Sequence, residues 1–180
     1  MMKFNLQIFA GEVTGKIDRK YMAHFLDASF GGSGATYTRL GTDLEEYQVE
    51  LNPDTETRKN ILGESSFVHN GYEISSEADP YYAVVGDPLF LKLQEIVDNR
   101  YKDDHCKTKA LEVHLWDGDA TAGYVAYQED CYVVPTSYGG DTSGYQIPFT
   151  VSYVGNRVKG KYKPADKSFT ADGSTPASGN

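Results

Sequence analysis

Cysteine is scarce in this sequence, and the two that occur, Cys106 and Cys131, form no Cys-x-x-Cys pair. This argues against a disulfide framework and against a cysteine-rich zinc site. Two reduced thiols packed as small apolar side chains are the simpler interpretation. Histidine is equally sparse, and its four positions lack the spacing of a metal site: His24, His69, His105 and His114.

Sequence motifs of catalysis are absent as well. The chain has no glycine-rich phosphate loop, no nucleophile elbow and no His-Glu-x-x-His zinc motif. Asp117-Gly118-Asp119 lacks the acidic spacing and closing Glu of a calcium loop, and it predicts a hairpin turn. Glu129 and Asp130 could face Glu112 or Asp119 across neighbouring strands as a glycosidase-like pair, but acidic residues are too abundant for this to carry weight. We therefore predict no enzyme activity, no catalytic residue, no metal and no cofactor.

Long apolar runs and excess positive charge are also missing. Nothing in the chain approaches the ~20 consecutive apolar residues that cross a bilayer, which predicts a soluble protein without membrane binding. Lys and Arg number 17 against 26 Asp and Glu, so the net charge is -9. A surface of this sign repels phosphate and argues against ordinary DNA binding, although simple solubility also explains such a charge.

Tyrosine and glycine are abundant instead, with 14 and 18 residues, and this composition favours strands over helices. A chain of 180 residues suits one domain with extensions. We predict a β domain over residues 20–170, preceded by an N-terminal arm at 1–19. A flexible C-terminal tail rich in Gly, Ser and Pro follows at 171–180.

The N-terminal arm begins with an apolar stretch that superficially suggests a signal peptide. The apolar residues Phe4, Leu6 and Ile8 alternate with the polar residues Asn5 and Gln7, which interrupt the run. This alternation favours an extended segment that lies on a sheet edge.

Alternating apolar and polar residues predict several strands in the β domain. A strand at 46–51 ends at the turn residues Asn52-Pro53-Asp54, and the segment 55–61 is predicted to pair back on it. The remaining predicted strands are 20–26 (with a helical turn as the alternative), 36–40, 110–116, 123–134, 145–154, 157–163 and 168–170. This pattern is typical of a β sandwich or barrel.

One α-helix is predicted at residues 87–101. Asp87 can cap the free amides of the first turn, and Pro88 follows at the first helical position, where its missing donor does no harm. Helical spacing predicts a buried face made of Leu89, Phe90, Leu93 and Val97. The fold class is therefore mainly β, with one helix flanking a sandwich or barrel.

The segment 63–86 lacks sustained periodicity and predicts a long loop. Loops of this length without structure of their own are usually functional or disordered. This one holds Phe67, Tyr72, Tyr81 and Tyr82, and aromatic side chains rarely stay in water without a partner. We therefore predict that the loop contacts another molecule.

An ordered series of short runs between Lys20 and Thr170 resembles the major tail tube proteins of siphoviruses and of prophages in Gram-positive bacteria. The runs are Arg39-Leu40-Gly41, Asp43-Leu44-Glu45-Glu46, Asn52-Pro53-Asp54-Thr55-Glu56-Thr57, Asn60-Ile61-Leu62-Gly63-Glu64, Gly86-Asp87-Pro88-Leu89-Phe90, Leu111-Glu112-Val113-His114-Leu115-Trp116, Ser137-Tyr138-Gly139-Gly140-Asp141, Gln146-Ile147-Pro148-Phe149-Thr150 and Gly155-Asn156-Arg157-Val158-Lys159-Gly160. The Gly-Gly-Ser-Gly loop after Phe30 and the C-terminal tail depart from the family pattern.

The resemblance implies a β sandwich with a flanking helix that forms six-membered rings, stacked into a tube in the virion tail and assembled in the host cytoplasm. The implied partners are other copies of the chain and the tape measure, terminator and distal tail proteins. DNA would meet the tube only in passage, repelled by its acidic wall during ejection. In such an assembly, we expect these residues to make inter-subunit contacts: Phe4, Leu6, Ile8, Phe67, Tyr72, Tyr81 and Tyr82.

Two alternatives remain open at the level of sequence. The same fold serves as the tube of contractile tails and of injection devices. Exposed tyrosines beside acidic residues also suit a carbohydrate-binding β sandwich, although no sequence signature supports it. A tube protein would form rings or hollow filaments, whereas the carbohydrate-binding module would stay monomeric and bind glycans.

Overall fold

A computed structural model describes residues 15–173 of the chain. The predicted contact residues Phe4, Leu6 and Ile8 lie outside the described residues, as does the tail from residue 174 onward. Within them, the prediction of a mainly β protein with one α-helix is confirmed. Two short 3-10 helices, Arg19–Tyr21 and Asp103–Cys106, complete the helical content of this part of the chain.

The helix and strands follow one another with short connections. In chain order they are β1 (Met22–Asp27), β2 (Tyr37–Leu40), β3 (Val49–Glu50), β4 (Pro53–Lys59), β5 (Ser65–Tyr72), β6 (Ser75–Ala78), α1 (Pro88–Asn99), β7 (Lys107–Asp119), β8 (Gly123–Pro135), β9 (Gly139–Asp141), β10 (Gly144–Gln146), β11 (Phe149–Lys163) and β12 (Ser168–Ala171).

Eight strands form one antiparallel sheet in the order β2-β1-β7-β8-β11-β6-β3, with β12 also paired to β11. Strand β11 joins most of the two segments predicted as separate strands, 145–154 and 157–163, but the start of the first is wrong, because residues 145 and 146 belong to β10. Strand β11 continues through two register shifts near Gly155 and Asn156, both at positive φ, because such bulges bend a strand without ending its pairing with β8. Its first half pairs with β6 and its second half with β12.

The sheet buries a separate apolar core on each of its two faces. On the face covered by α1, here called the helix-side face, Leu26, Val133 and Phe149 belong to one core together with the buried residues of the helix. On the opposite face, here called the far face, Phe25 and Val113 belong to a second core. Neighbouring residues of β1 therefore enter different cores, as the nearly continuous apolar run at 20–26 predicts for a buried strand.

Helix α1 begins and ends with local capping signals. The Asp87 carboxylate accepts the Leu89 N–H at 2.9 Å, and Arg100 ends the helix in the left-handed region at φ 54°. The predicted buried face is wrong at one position, because Phe90 is only half-buried at the edge of the core. Ile96 is buried in its place, so that the buried residues of the helix are Leu89, Leu93, Ile96 and Val97.

The prediction of a long loop at 63–86 is wrong. This segment contains β5 and β6, and β5 pairs with β4 in a separate two-stranded sheet. The predicted pairing of 55–61 with 46–51 is therefore wrong too, since 46–51 supplies only the two-residue β3, which pairs with β6. Strand β5 was not predicted because neither face of the hairpin is buried. An exposed strand does not need the alternating apolar and polar residues from which strands are predicted.

The hairpin turn predicted at 117–119 is displaced. Strand β7 continues to Asp119 past a register shift between His114 and Gly118. The turn follows at 120–122, where the Asp119 carboxylate accepts the N–H groups of Thr121 and Ala122, each at 2.7 Å. The aspartate thus caps the turn, and this carboxylate–amide bonding depresses its pKa.

Candidate functional site

One long element of the described residues is exposed on both faces: the β4–β5 hairpin, residues 53–72, here called the arm and distinct from the N-terminal arm at 1–19. Every residue of β4 is exposed, and no residue of β5 is buried. A two-stranded hairpin is only marginally stable in water unless something packs against it. The arm therefore has the features of an element that is completed by contact with another molecule.

The tip of the arm is a turn organised by one side chain. The Asn60 carboxamide oxygen accepts the N–H groups of Leu62 and Glu64, each at 3.0 Å, and its amide donates to the Glu64 carboxylate at 2.6 Å. Gly63 supplies the positive φ of 81° that the turn needs. The ordered turn holds Ile61 and Leu62 outward, 103% and 78% exposed. Two large aliphatic side chains on an ordered turn can bind in an apolar recess of another molecule without first being ordered.

Two of the predicted contact residues lie on the arm. Phe67 stands opposite Thr57 and is 71% exposed. Tyr72 lies at the base of the arm, opposite Pro53, with its ring edge-on to His69 at 4.5 Å. The sequence prediction missed the tip, although the Asn-x-x-Gly spacing between two strand-forming runs was a usable turn signal.

The other two aromatic residues of the predicted loop lie away from the arm. Tyr82 forms a bridge with Gln146, and its hydroxyl lies 3.2 Å from that of Ser143. Tyr81 is in the helix-side core, where its ring meets Phe149 edge-on at 5.3 Å. Its hydroxyl donates to Asp87, and burial, reinforced by this carboxylate, raises the pKa of Tyr81. A core position leaves Tyr81 little surface for a neighbour, so we withdraw it from the expected contacts.

A second polar constellation lies on the helix-side face, where α1 does not cover the sheet. Arg157 donates to the Glu129 carboxylate at 3.1 Å and to the Glu112 carboxylate at 3.0 Å. The two acids considered as a glycosidase-like pair therefore do come together, but a guanidinium lies between them. Only 6% of the Glu129 side chain is exposed, so Arg157 serves to neutralise a buried charge.

Aromatic rings surround this ion cluster. The Arg157 guanidinium lies 4.6 Å from the centre of the Tyr127 ring, and His114 stacks on Trp116 at 4.4 Å. His114 also contacts Glu112 at 2.8 Å. Burial alone would raise the pKa of Glu112, but this hydrogen bond and the Arg157 charge outweigh burial and lower it. Glu112 is thus favoured in its ionised form beside Arg157.

His24 borders the same cluster from β1. Burial lowers the pKa of His24 to about 4, with further lowering from the charge of Arg19 and a smaller opposing effect of Glu112. Its ring lies 5.0 Å from that of Tyr47. The histidine is therefore neutral in the folded protein at neutral pH.

The described residues contain no group of three or more His, Cys, Asp or Glu placed to hold a metal ion. Cys106 and Cys131 are both buried free thiols. Burial, followed by the charges of Asp130 and Glu129, raises the pKa of Cys131 to about 12, which keeps it an unreactive thiol. In residues 15–173, no helix has the length and apolar character to span a membrane.

Comparison with known proteins gives similarity only among solved structures. No protein-family model matches the chain, and no curated protein sequence matches it significantly. The cap of the anti-feeding prophage, described as a tube-terminating cap, aligns with 89% of this chain and 99% of its own, at 11% identity and a TM-score of 0.46.

Two further similar structures come from an extracellular contractile injection system called PVC. Its sheath/tube terminator covers 82% of this chain and 98% of its own at 9% identity, with a TM-score of 0.48. A chain of its sheath-tube complex covers 83% of this chain and 95% of its own at 10% identity, with a TM-score of 0.46.

Proposed function

We propose that the chain is a structural subunit of a phage tail tube, which assembles into stacked, six-membered rings around a conduit for DNA ejection. The observation that carries the proposal is the arm: a solvent-exposed hairpin whose ordered tip presents Ile61 and Leu62. The ordered resemblance of residues 20–170 to siphovirus tail tube proteins and the mainly β fold with one helix support the same assignment.

The arm has the reach that an inter-subunit contact requires. Seven residues of extended strand span about 20 Å, so the tip lies well away from the base at Pro53 and Tyr72. Burying two aliphatic side chains at such a distance favours contact with a second molecule. We propose that the arm of one copy packs against a neighbouring copy, with Phe67 and Tyr72 as further contacts.

The acidic character of the chain suits a conduit for DNA. With a net charge of -9, a wall built from these subunits would repel phosphate and leave DNA free to slide. We propose that the tube acts in the virion tail, joined to the tape measure, terminator and distal tail proteins. DNA then needs no specific binding residue on the subunit.

The test compares the full chain with a variant that lacks the arm, by sedimentation and negative-stain microscopy. Asn52 and Glu73 are hydrogen-bonded to each other at the base of the arm, so a short Asn-Gly turn can replace residues 53–72 between them. We expect rings or hollow filaments from the full chain and folded monomers from the variant. Normal tubes from the variant without the arm would contradict the proposal that the arm makes the contact between copies.

A milder variant tests the tip alone. Ile61→Ser with Leu62→Ser should weaken assembly, whereas Val85→Ser, at another position that is 97% exposed, should not. Discrete monomers of the unaltered chain that bind glycans would instead favour the carbohydrate-binding alternative and overturn the proposed function.

A further inference from the structure

Charge is unevenly distributed along this acidic chain. No Lys or Arg occurs in residues 41–57 or in residues 60–91, while both segments carry several acids. The second half of β11 has the opposite character, with a basic side chain at every second residue. These residues are Arg157, Lys159, Lys161 and Lys163.

The three lysines form a row on the surface, here called the basic row. Lys159 pairs with Tyr127 and Lys161 with Val125, which places the row on the helix-side face beyond the reach of α1. Successive lysines on one face of a strand are about 7 Å apart. All three are exposed, and within residues 15–173 none of them forms a salt bridge. Arg157 differs, because Glu112 and Glu129 already neutralise it.

A set of acids occupies the other end of β11, at the edge formed by β6 and β3. Glu77 on β6 stands opposite Thr150, and Glu50 on β3 stands opposite Ser75. Glu46 and Asp79 line the same shallow groove as Glu50 and Glu77. These four acidic residues are here called the acidic edge. All four are exposed, and within the described residues none of them forms a salt bridge.

The two charged surfaces cannot meet within one copy. Thr150, next to Glu77, and Lys161 are separated by roughly 30 Å of extended strand. The pairing with β8 also places them on opposite faces of the sheet, since Glu77 aligns with Thr150 and Val134 while Lys161 aligns with Val125. Within one copy, Lys161 acts electrostatically on Asp119, which lies on β7 before the turn to β8, but the acidic edge is out of reach of the basic row. The acidic edge of a second copy is therefore the set of acids that the basic row can meet on assembly.

We propose that the basic row of one copy docks on the acidic edge of a second copy, in a head-to-tail contact. This inference rests on the proposed function, because it names a surface through which the tube subunit meets its neighbour. Two different surfaces of the same chain make the contact heterologous, so it repeats from copy to copy. Complementary charge also fixes the relative orientation of the two copies, because two basic rows or two acidic edges repel each other.

Charge reversal tests the contact. Lys161→Glu with Lys163→Glu should raise the protein concentration needed for half-assembly by about tenfold or more, because the acidic edge then meets acids. Lys102→Glu with Lys109→Glu makes the same change in net charge elsewhere on the exposed surface and should leave this concentration unchanged. Thermal melts of both variants confirm that each one folds. Equal assembly of the two variants would overturn the proposal.

Mixing provides the second arm of the test. Glu50→Lys with Glu77→Lys should impair assembly by itself and should co-assemble with the Lys161→Glu, Lys163→Glu variant, because each reversed surface then meets its opposite. No rescue on mixing would overturn the head-to-tail pairing. Tubes that form from the unaltered chain and from every variant would refute this contact and leave the proposed function standing. An unaltered chain that never assembles would refute both.

Discussion

At the scale of single residues, α1 offers a matched pair of leucines on opposite sides of the helix. Leu93 is fully buried in the helix-side core, whereas Leu91 is 59% exposed. Leu93→Ala removes packed atoms and leaves a cavity, so we expect it to lower the free energy of unfolding by about 2–5 kcal/mol. Leu91→Ala should change it by less than about 0.5 kcal/mol. Denaturant melts of the two variants measure this, and equal losses would contradict the observed burial.

His24 gives the fold a specific weakness in acid. The pKa of His24 is 6.5 in the unfolded chain and about 4 in the folded protein. Between these pH values His24 is therefore protonated in the unfolded chain and neutral in the folded protein. Stability that is present above pH 6.5 is therefore lost as the pH falls toward 4, by about 3 kcal/mol. His24→Phe keeps a ring beside Tyr47 and removes this proton.

Urea melts at pH 7 and at about pH 4.5 check the prediction. We expect His24→Phe to lose less stability between the two pH values than the unaltered chain does. His69→Gln, at an exposed position on the arm, is the control and should lose as much as the unaltered chain. A part of the acid loss should persist in all three proteins, because the lowered pKa of Glu112 also favours the folded state only while that group is ionised. Parallel losses in all three would exclude His24 as the cause.

At the scale of elements, the arm and the central strands should differ in their hydrogen exchange. The arm's backbone hydrogen bonds have no core beside them, whereas the β7–β8 ladder lies between buried residues on both faces. We expect arm amides to exchange rapidly in monomers and to gain protection in assembled tubes. The amides of β7 and β8 should be protected in both states. Arm amides as protected in monomers as those of β8 would show that the hairpin needs no partner.

The elements also show which features a sequence can reveal. Helix α1 was predictable because its caps at Asp87 and Pro88 and its apolar spacing are local signals. The arm was predictable only in part: the segment 55–61 covers most of β4 and the Asn60-x-x-Gly63 spacing signals a turn, but β5 is not buried on either face and shows no alternation. Aromatic character alone indicates Phe67 and Tyr72 as contacts, whereas Ile61 ends the predicted strand segment and Leu62 lies between that segment and the predicted loop.

At the scale of the whole molecule, contacts between distant strands were beyond a sequence-based prediction. Glu112, Glu129 and Arg157 belong to β7, β8 and β11, and only the register of three strands brings them together. The membership of the two cores was hidden for the same reason, because each core joins side chains of several strands that are distant in sequence. A mainly β fold with one helix could still be predicted, because composition and strand-length patterns suffice for it.

The closed base of the arm has an evolutionary consequence. The chain leaves the domain at Asn52 and returns at Glu73, and these two residues are hydrogen-bonded to each other. Insertions, deletions or replacements between them therefore leave the paths of the other strands unchanged. Selection can alter the hairpin at little cost to folding, so partner choice and stability are free to diverge along separate lines of descent.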